Sequence, residues 1–188
     1  MRFILLFTIS FFLIFPSYAY DEKIKLNRTY IETDSNKGAQ EIHPLEQASV
    51  HMRLGEEIKA LYIIKQNREL VREWKNKYGN SIANIAAWNG CVEVLKFLQE
   101  TSYQFQRNTL SVMGARHLKV LKFLCEHELL LPNAQAEHGT TPLQQACNIA
   151  DDLGFKFEET LVPECLQRIR YLISLGADLN QRNADGRT

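Results

Sequence analysis

The run YGNSIANIAAWNGCVEVLKFLQE, Tyr78 to Glu100, decides the fold. Its first half places Ser81, Ala83, Ala86 and Ala87 where one short helix must let a neighbour approach closely. Its second half repeats apolar residues at Val94, Leu95, Phe97 and Leu98, the spacing of one helix face. Asn89-Gly90 interrupts the period between them. A helix-turn-helix this short cannot bury its own apolar face, so it predicts further copies of itself alongside.

The copies are legible. Val94-Leu95-Lys96-Phe97-Leu98 returns as Val120-Leu121-Lys122-Phe123-Leu124 and, more loosely, as Ile169-Arg170-Tyr171-Leu172-Ile173. Gly79-Asn80-Ser81 returns as Gly139-Thr140-Thr141 and Gly186-Arg187-Thr188. Upstream, His43-Pro44-Leu45-Glu46-Gln47-Ala48 aligns with Thr141-Pro142-Leu143-Gln144-Gln145-Ala146. In this first unit Leu45, Ala48 and Met52 line one expected helix, and Ile58, Leu61, Ile63 and Ile64 the next. The unit is counted about four times, over roughly 43–75, 76–104, 105–135 and 136–182, and residues 183–188 begin an incomplete further one.

Gly139-Thr140-Thr141-Pro142-Leu143-Gln144-Gln145-Ala146 and Leu175-Gly176-Ala177-Asp178-Leu179-Asn180 resemble the G-x-T-P-L-H-x-A and G-A-D-V-N signatures of ankyrin repeats, whose period is about 33 residues. A tetratricopeptide stack would explain neither the Gly-x-Ser/Thr openings nor Gly176-Ala177-Asp178. The resemblance implies an all-α ankyrin-repeat solenoid over residues 43–182. It also implies a ligand-facing concave surface made of finger tips and the outward side of each first helix. Carried over residue by residue, this gives Lys77, Tyr78, Asn80, Trp88 and Asn89 around Gly79. Around Gly139 it gives Glu137, His138 and Thr140, with Asn148 and Ile149 beyond them. Trp88 is the expected anchor, because burying an aromatic on a partner removes much apolar area at small entropic cost. Packing against the neighbouring unit or Trp74 is the alternative for it.

The unit at Arg107–Glu126 departs from the pattern. Leu110, Val112 and Met113 read as buried, Gly114 stands where a small residue is wanted, and Arg116 replaces the expected glycine. The fourth unit carries an insert at 148–164 that mixes Asp151, Asp152, Glu158, Glu159 and Glu164 with Phe155, Phe157, Leu161 and Val162. It fits either recognition of a basic or amphipathic partner or a longer first helix folded back on the stack. Cys147 and Cys165 flank it and are the one pair placed to form a disulfide, with free thiols used as small apolar fillers as the alternative.

At the N-terminus, Arg2, the apolar run Phe3 to Phe15, and Pro16-Ser17-Tyr18-Ala19 read as a secretory signal over residues 1–19, cut after Ala19. The apolar run is shorter than the roughly 20 residues a membrane span needs. Export to a periplasm or the exterior is therefore expected, with no stable span remaining. Residues 20–42 are polar and read as a flexible tail, in which Asn27-Arg28-Thr29 fits a glycosylation acceptor.

Composition narrows the function. A formal charge of +0 gives no basic field for phosphates, which disfavours nucleic acid as partner. His43, His51, His117, His127 and His138 are scattered over different units, and no Gly-rich phosphate loop or nucleophile elbow occurs. No cofactor, metal site or catalytic set is therefore expected. The reading is an exported module that binds another protein, with self-association through the C-terminal repeat face as a further possibility. The alternative is a targeting array at the front of a larger exported enzyme.

Overall fold

A computed structural model of the chain describes residues 42–147 and 161–188. Residues 1–41, which hold the expected leader and nearly all of the expected polar tail, and insert residues 148–160 lie outside the described residues. Over His43–Thr188, regular structure among the described residues is helical, apart from one isolated antiparallel bridge between Lys75 and Ser81. There are eight α-helices there: α1 (Pro44–Arg53), α2 (Glu57–Gln66), α3 (Ile82–Trp88), α4 (Val92–Glu100), α5 (Arg107–Gly114), α6 (Leu118–Glu126), α7 (Pro142–Cys147) and α8 (Leu161–Ser174).

Local sequence starts three of the helices. The His43 ring accepts the Leu45 N–H at 3.2 Å ahead of Pro44 at the first helical position of α1. Ser81 Oγ accepts the Asn84 N–H at 3.3 Å and opens α3. At α7, Thr141 Oγ1 accepts from Gln144 N at 3.2 Å while Gln144 Oε1 accepts from Thr141 N at 3.0 Å, a reciprocal capping box. Helix α4 has no cap of its own, and Glu57 of α2 supplies one by accepting the Glu93 N–H at 2.7 Å.

Helix ends repeat more faithfully than helix beginnings. Tyr103, Leu129 and Ala177 donate their N–H groups back to the carbonyls of Leu98, Leu124 and Leu172. Ser102, Glu128 and Gly176, just before those donors, all have positive φ. These are three copies of one Schellman closure. They correct the register of the last repeat by one residue. Leu172, not Ile173, is equivalent to Leu98 and Leu124, and all three are buried to within 1%. Arg168 consequently occupies the position that Val94 and Val120 fill in α4 and α6.

The helices pack in two rows. α1, α3, α5 and α7 follow one another in contact, as do α2, α4, α6 and α8, and each first helix also packs on its own second helix. The core runs between the rows through Leu45, Met52, Ile64, Ile82, Leu95, Leu110, Leu121 and Leu172. Ile58 is a correction to the expected core: it is 84% exposed. With Ala60 and Ile64 facing inward four residues apart, a residue two before Ala60 falls on the opposite side of the helix. Gly114 is required as read, since a Cβ there would stand 2.8 Å from Val120 Cγ1 and 2.9 Å from Leu124 Cδ1. Residues 161–164 of the expected insert form the first turn of α8.

Candidate binding surface

The site is built on a turn that occurs three times. Asn76 donates its N–H to Asn80 O and accepts from Gly79 N, each at 2.9 Å. Ala136 repeats both bonds with Thr140 and Gly139, and Asn183 repeats them with Arg187 and Gly186. Gly79, Gly139 and Gly186 have φ of 78°, 72° and 74°, which only glycine adopts without strain. Asn76 Oδ1 adds two bonds, to the N–H groups of Tyr78 and Asn80, and so presents Tyr78 rigidly at the tip. Tyr78 is 70% exposed.

Beneath this tip, Ser81, Asn84, Ile85, Trp88 and Asn89 follow the three- and four-residue spacing of one face of α3. Asn84, Ile85, Trp88 and Asn89 join Asn76, Tyr78, Asn80, Ser49 and Arg53 of α1, and Met113 of α5 around a groove of about 260 Å³. Four of the expected residues, Tyr78, Asn80, Trp88 and Asn89, thus converge on one groove. Lys77 is not among the residues that line it; its Nζ lies 5.2 Å from the centre of the Tyr78 ring.

Trp88 is partly committed to the neighbouring unit. The Arg116 guanidinium lies 4.1 Å above its ring, and His117 Nε2 donates to its carbonyl at 3.0 Å. It remains 39% exposed at the groove. Burial holds His117 below its ordinary pKa, partly countered by the bond to Trp88 O, with Arg116, Lys119 and Arg168 adding to the depression. The same ring is the near neighbour of Gly90, whose φ of 76° and lack of Cβ let it pass.

The expected residues around Gly139 do not join this groove. Thr140 borders a separate cleft with Gln144, Asp178, Gln181 and Arg187. His138 gives its carbonyl to Ala184 N, so the finger of Glu137, His138 and Gly139 backs onto the Asn183–Arg187 turn. Asn133, ahead of that finger, is tied to the segment after α8, donating to Gly176 O and accepting from Asp178 N.

Six groove residues were missed from sequence: Ser49, Arg53, Asn76, Asn84, Ile85 and Met113. Asn84 and Ile85 lie four and three residues before Trp88, so helical spacing alone could have found them. Arg53 and Met113 come from neighbouring helices and carry no comparable signal. Asn84 is 2% exposed, and its Oδ1 has no hydrogen-bond partner.

The four cysteines, Cys147 and Cys165 included, are free thiols here, and Cys165 Sγ points to Ala146 O at 3.2 Å. Desolvation pushes the Cys91 thiol up to about 12. Among the described residues, no group of three or more His, Cys, Asp or Glu side chains is placed to hold a metal ion. No helix among them is long and apolar enough to cross a membrane. No protein-family model matches the chain, and no curated protein matches it.

Proposed function

We propose that the chain is an ankyrin-like α-solenoid that binds another protein through its finger tips and concave helix face, and has no catalysis of its own. One observation carries this reading: Tyr78, Asn80, Trp88 and Asn89, expected from the resemblance to form a ligand-facing surface, line one groove. An exposed tyrosine on a glycine-closed turn beside a half-exposed tryptophan offers aromatic anchors of low entropic cost. The leader pattern Arg2 to Ala19 supports action outside the cytoplasm, after cleavage.

Tyr78 is the cleaner residue to change, because losing Trp88 would also unseat Arg116. Bead-bound wild-type chain, Tyr78→Ala, and an outer-face control, Lys122→Ala, are offered the exported protein fraction of the source cells. The expected result is a set of bound proteins that the control keeps and Tyr78→Ala loses, with unchanged helicity. Equal retention by both variants would remove the groove from the function.

A further inference from the structure

Two thiols outside the groove lie close together where α7 packs on α8. Cys147, the last residue of α7, is exposed, and Cys165, in the second turn of α8, is 7% exposed. Cys165 Sγ stands 3.2 Å from Ala146 O, the carbonyl of the peptide bond to Cys147. A carbonyl oxygen is about 2.8 Å from the following Cα, which places Cys165 Sγ within about 6 Å of the Cys147 Cα. In a cystine that separation is roughly 4 Å, so a shift of about 2 Å or less, with rotation of the exposed Cys147 side chain, brings the sulfurs to bonding distance. The repeat itself produces this approach. Ala146 stands as far beyond Thr141 as Ala86 does beyond Ser81, and Cys165 as far ahead of Arg168 as Cys91 is ahead of Val94. In the second unit Ala86 O accepts the Cys91 N–H at 2.8 Å. The fourth unit brings the same two positions together, with Cys147 in the place of Ala87. The other two thiols are engaged elsewhere: Cys91 Sγ points to Asn89 O at 4.0 Å, and Cys125 meets the Tyr171 side chain.

We propose that Cys147 and Cys165 form an intramolecular disulfide by exchange with a disulfide oxidant such as oxidised glutathione, fastening the end of α7 to α8. This goes beyond the binding reading and does not rest on it. Exposure sets the order of events. The Cys147 thiolate attacks one sulfur of oxidised glutathione, forms a mixed disulfide and expels one glutathione thiolate. The Cys165 thiolate then attacks the Cys147 sulfur and expels the second. The two protons given up by the protein thiols are taken up by the two glutathione thiolates, and two electrons pass from the protein to the oxidant. Desolvation and the neighbouring Cys165 hold the Cys147 thiol above its ordinary pKa, so mildly alkaline buffer speeds the first attack. Such a bond persists in oxidising compartments, which agrees with the expected export.

The full chain, reduced and then held in a buffer of oxidised and reduced glutathione, tests this. After quenching with iodoacetamide, cleavage after glutamate leaves the four cysteines on separate peptides for mass spectrometry. The expected result is alkylation at Cys91 and Cys125, one linked peptide pair joining Cys147 to Cys165, and an unfolding midpoint several degrees above that of the reduced chain. In urea the same buffer should give mixed pairings, because the selectivity comes from the fold. Cys165→Ala should stop at a glutathione adduct on Cys147, whereas Cys147→Ser should leave Cys165 reduced in the folded chain. Alkylation of all four thiols, a glutathione adduct that persists on Cys147 of the wild type, a dimer linked through Cys147, or another pairing in the folded chain overturns the proposal. So does a linked chain that melts no higher than the reduced one.

Discussion

Three described non-glycine residues hold a backbone conformation that suits glycine, two of them at helix ends and the third, His138, in a finger. Ser102 and Glu128 have φ of 57° and 56° at the helix ends where the last repeat uses Gly176, and both side chains are exposed. A left-handed L-residue costs about 1–2 kcal/mol, partly offset because glycine gains more freedom in the unfolded chain. Ser102→Gly and Glu128→Gly should therefore each stabilise the protein by about 0.5–1 kcal/mol, read from urea midpoints. Neither position stood out in the sequence, since only Gly176 announces the turn. His117 sets a pH dependence. Its folded pKa lies below the ordinary 6.5, chiefly through desolvation, so as pH falls the unfolded chain takes up the proton first. Its contribution is complete above pH 6.5 and is lost as pH drops through the folded value. His117→Asn should flatten the stability profile below neutrality relative to wild type, and an unchanged slope would remove His117 as the cause.

At the scale of elements, the units are joined by contacts that no single repeat contains. Glu57 of α2 caps α4, whose own N-cap residue, Cys91, offers no side-chain acceptor. Glu57→Ala should cost about 1 kcal/mol, as loss of a helix cap does, and Glu57→Gln should recover part of it. Between α5 and α6, the helices meet across Gly114. Gly114→Ala drives a methyl into Val120 and Leu124 and should cost about 1–3 kcal/mol, measured by thermal or urea unfolding. The glycine was legible because small residues mark close helix approach. Glu57 was not, because its partner is 36 residues away and nothing in its own helix requires a carboxylate there. The one-residue slip in reading α8 has a similar origin. Ile169-Arg170-Tyr171-Leu172-Ile173 offers apolar residues in two registers, and the turn at Gly176 decides between them. The chosen register puts Arg168 in a valine's place, where its Nη1 donates to Arg116 O at 2.6 Å and links α8 to the end of α5.

Across the whole molecule, helix number, order and the core of most helices followed from apolar period and glycine punctuation. The groove followed only in part, because its lining is gathered from three helices and a finger. What the two-row packing adds is a statement about cooperativity. The main helix contacts join elements one or two apart in the chain, so the stability of each region depends first on the helices beside it. Leu172 is fully buried where α8 meets the end of the row. Leu172→Ala should cost about 2–5 kcal/mol locally, the range for emptying a buried leucine site. In native-state hydrogen exchange, that loss should appear as faster exchange in α7 and α8, fade through α5 and α6, and leave α1 and α2 near their wild-type protection. A uniform loss over all eight described helices would instead mean that the rows unfold as one cooperative body, and the nearest-neighbour picture of the stack would fall with it.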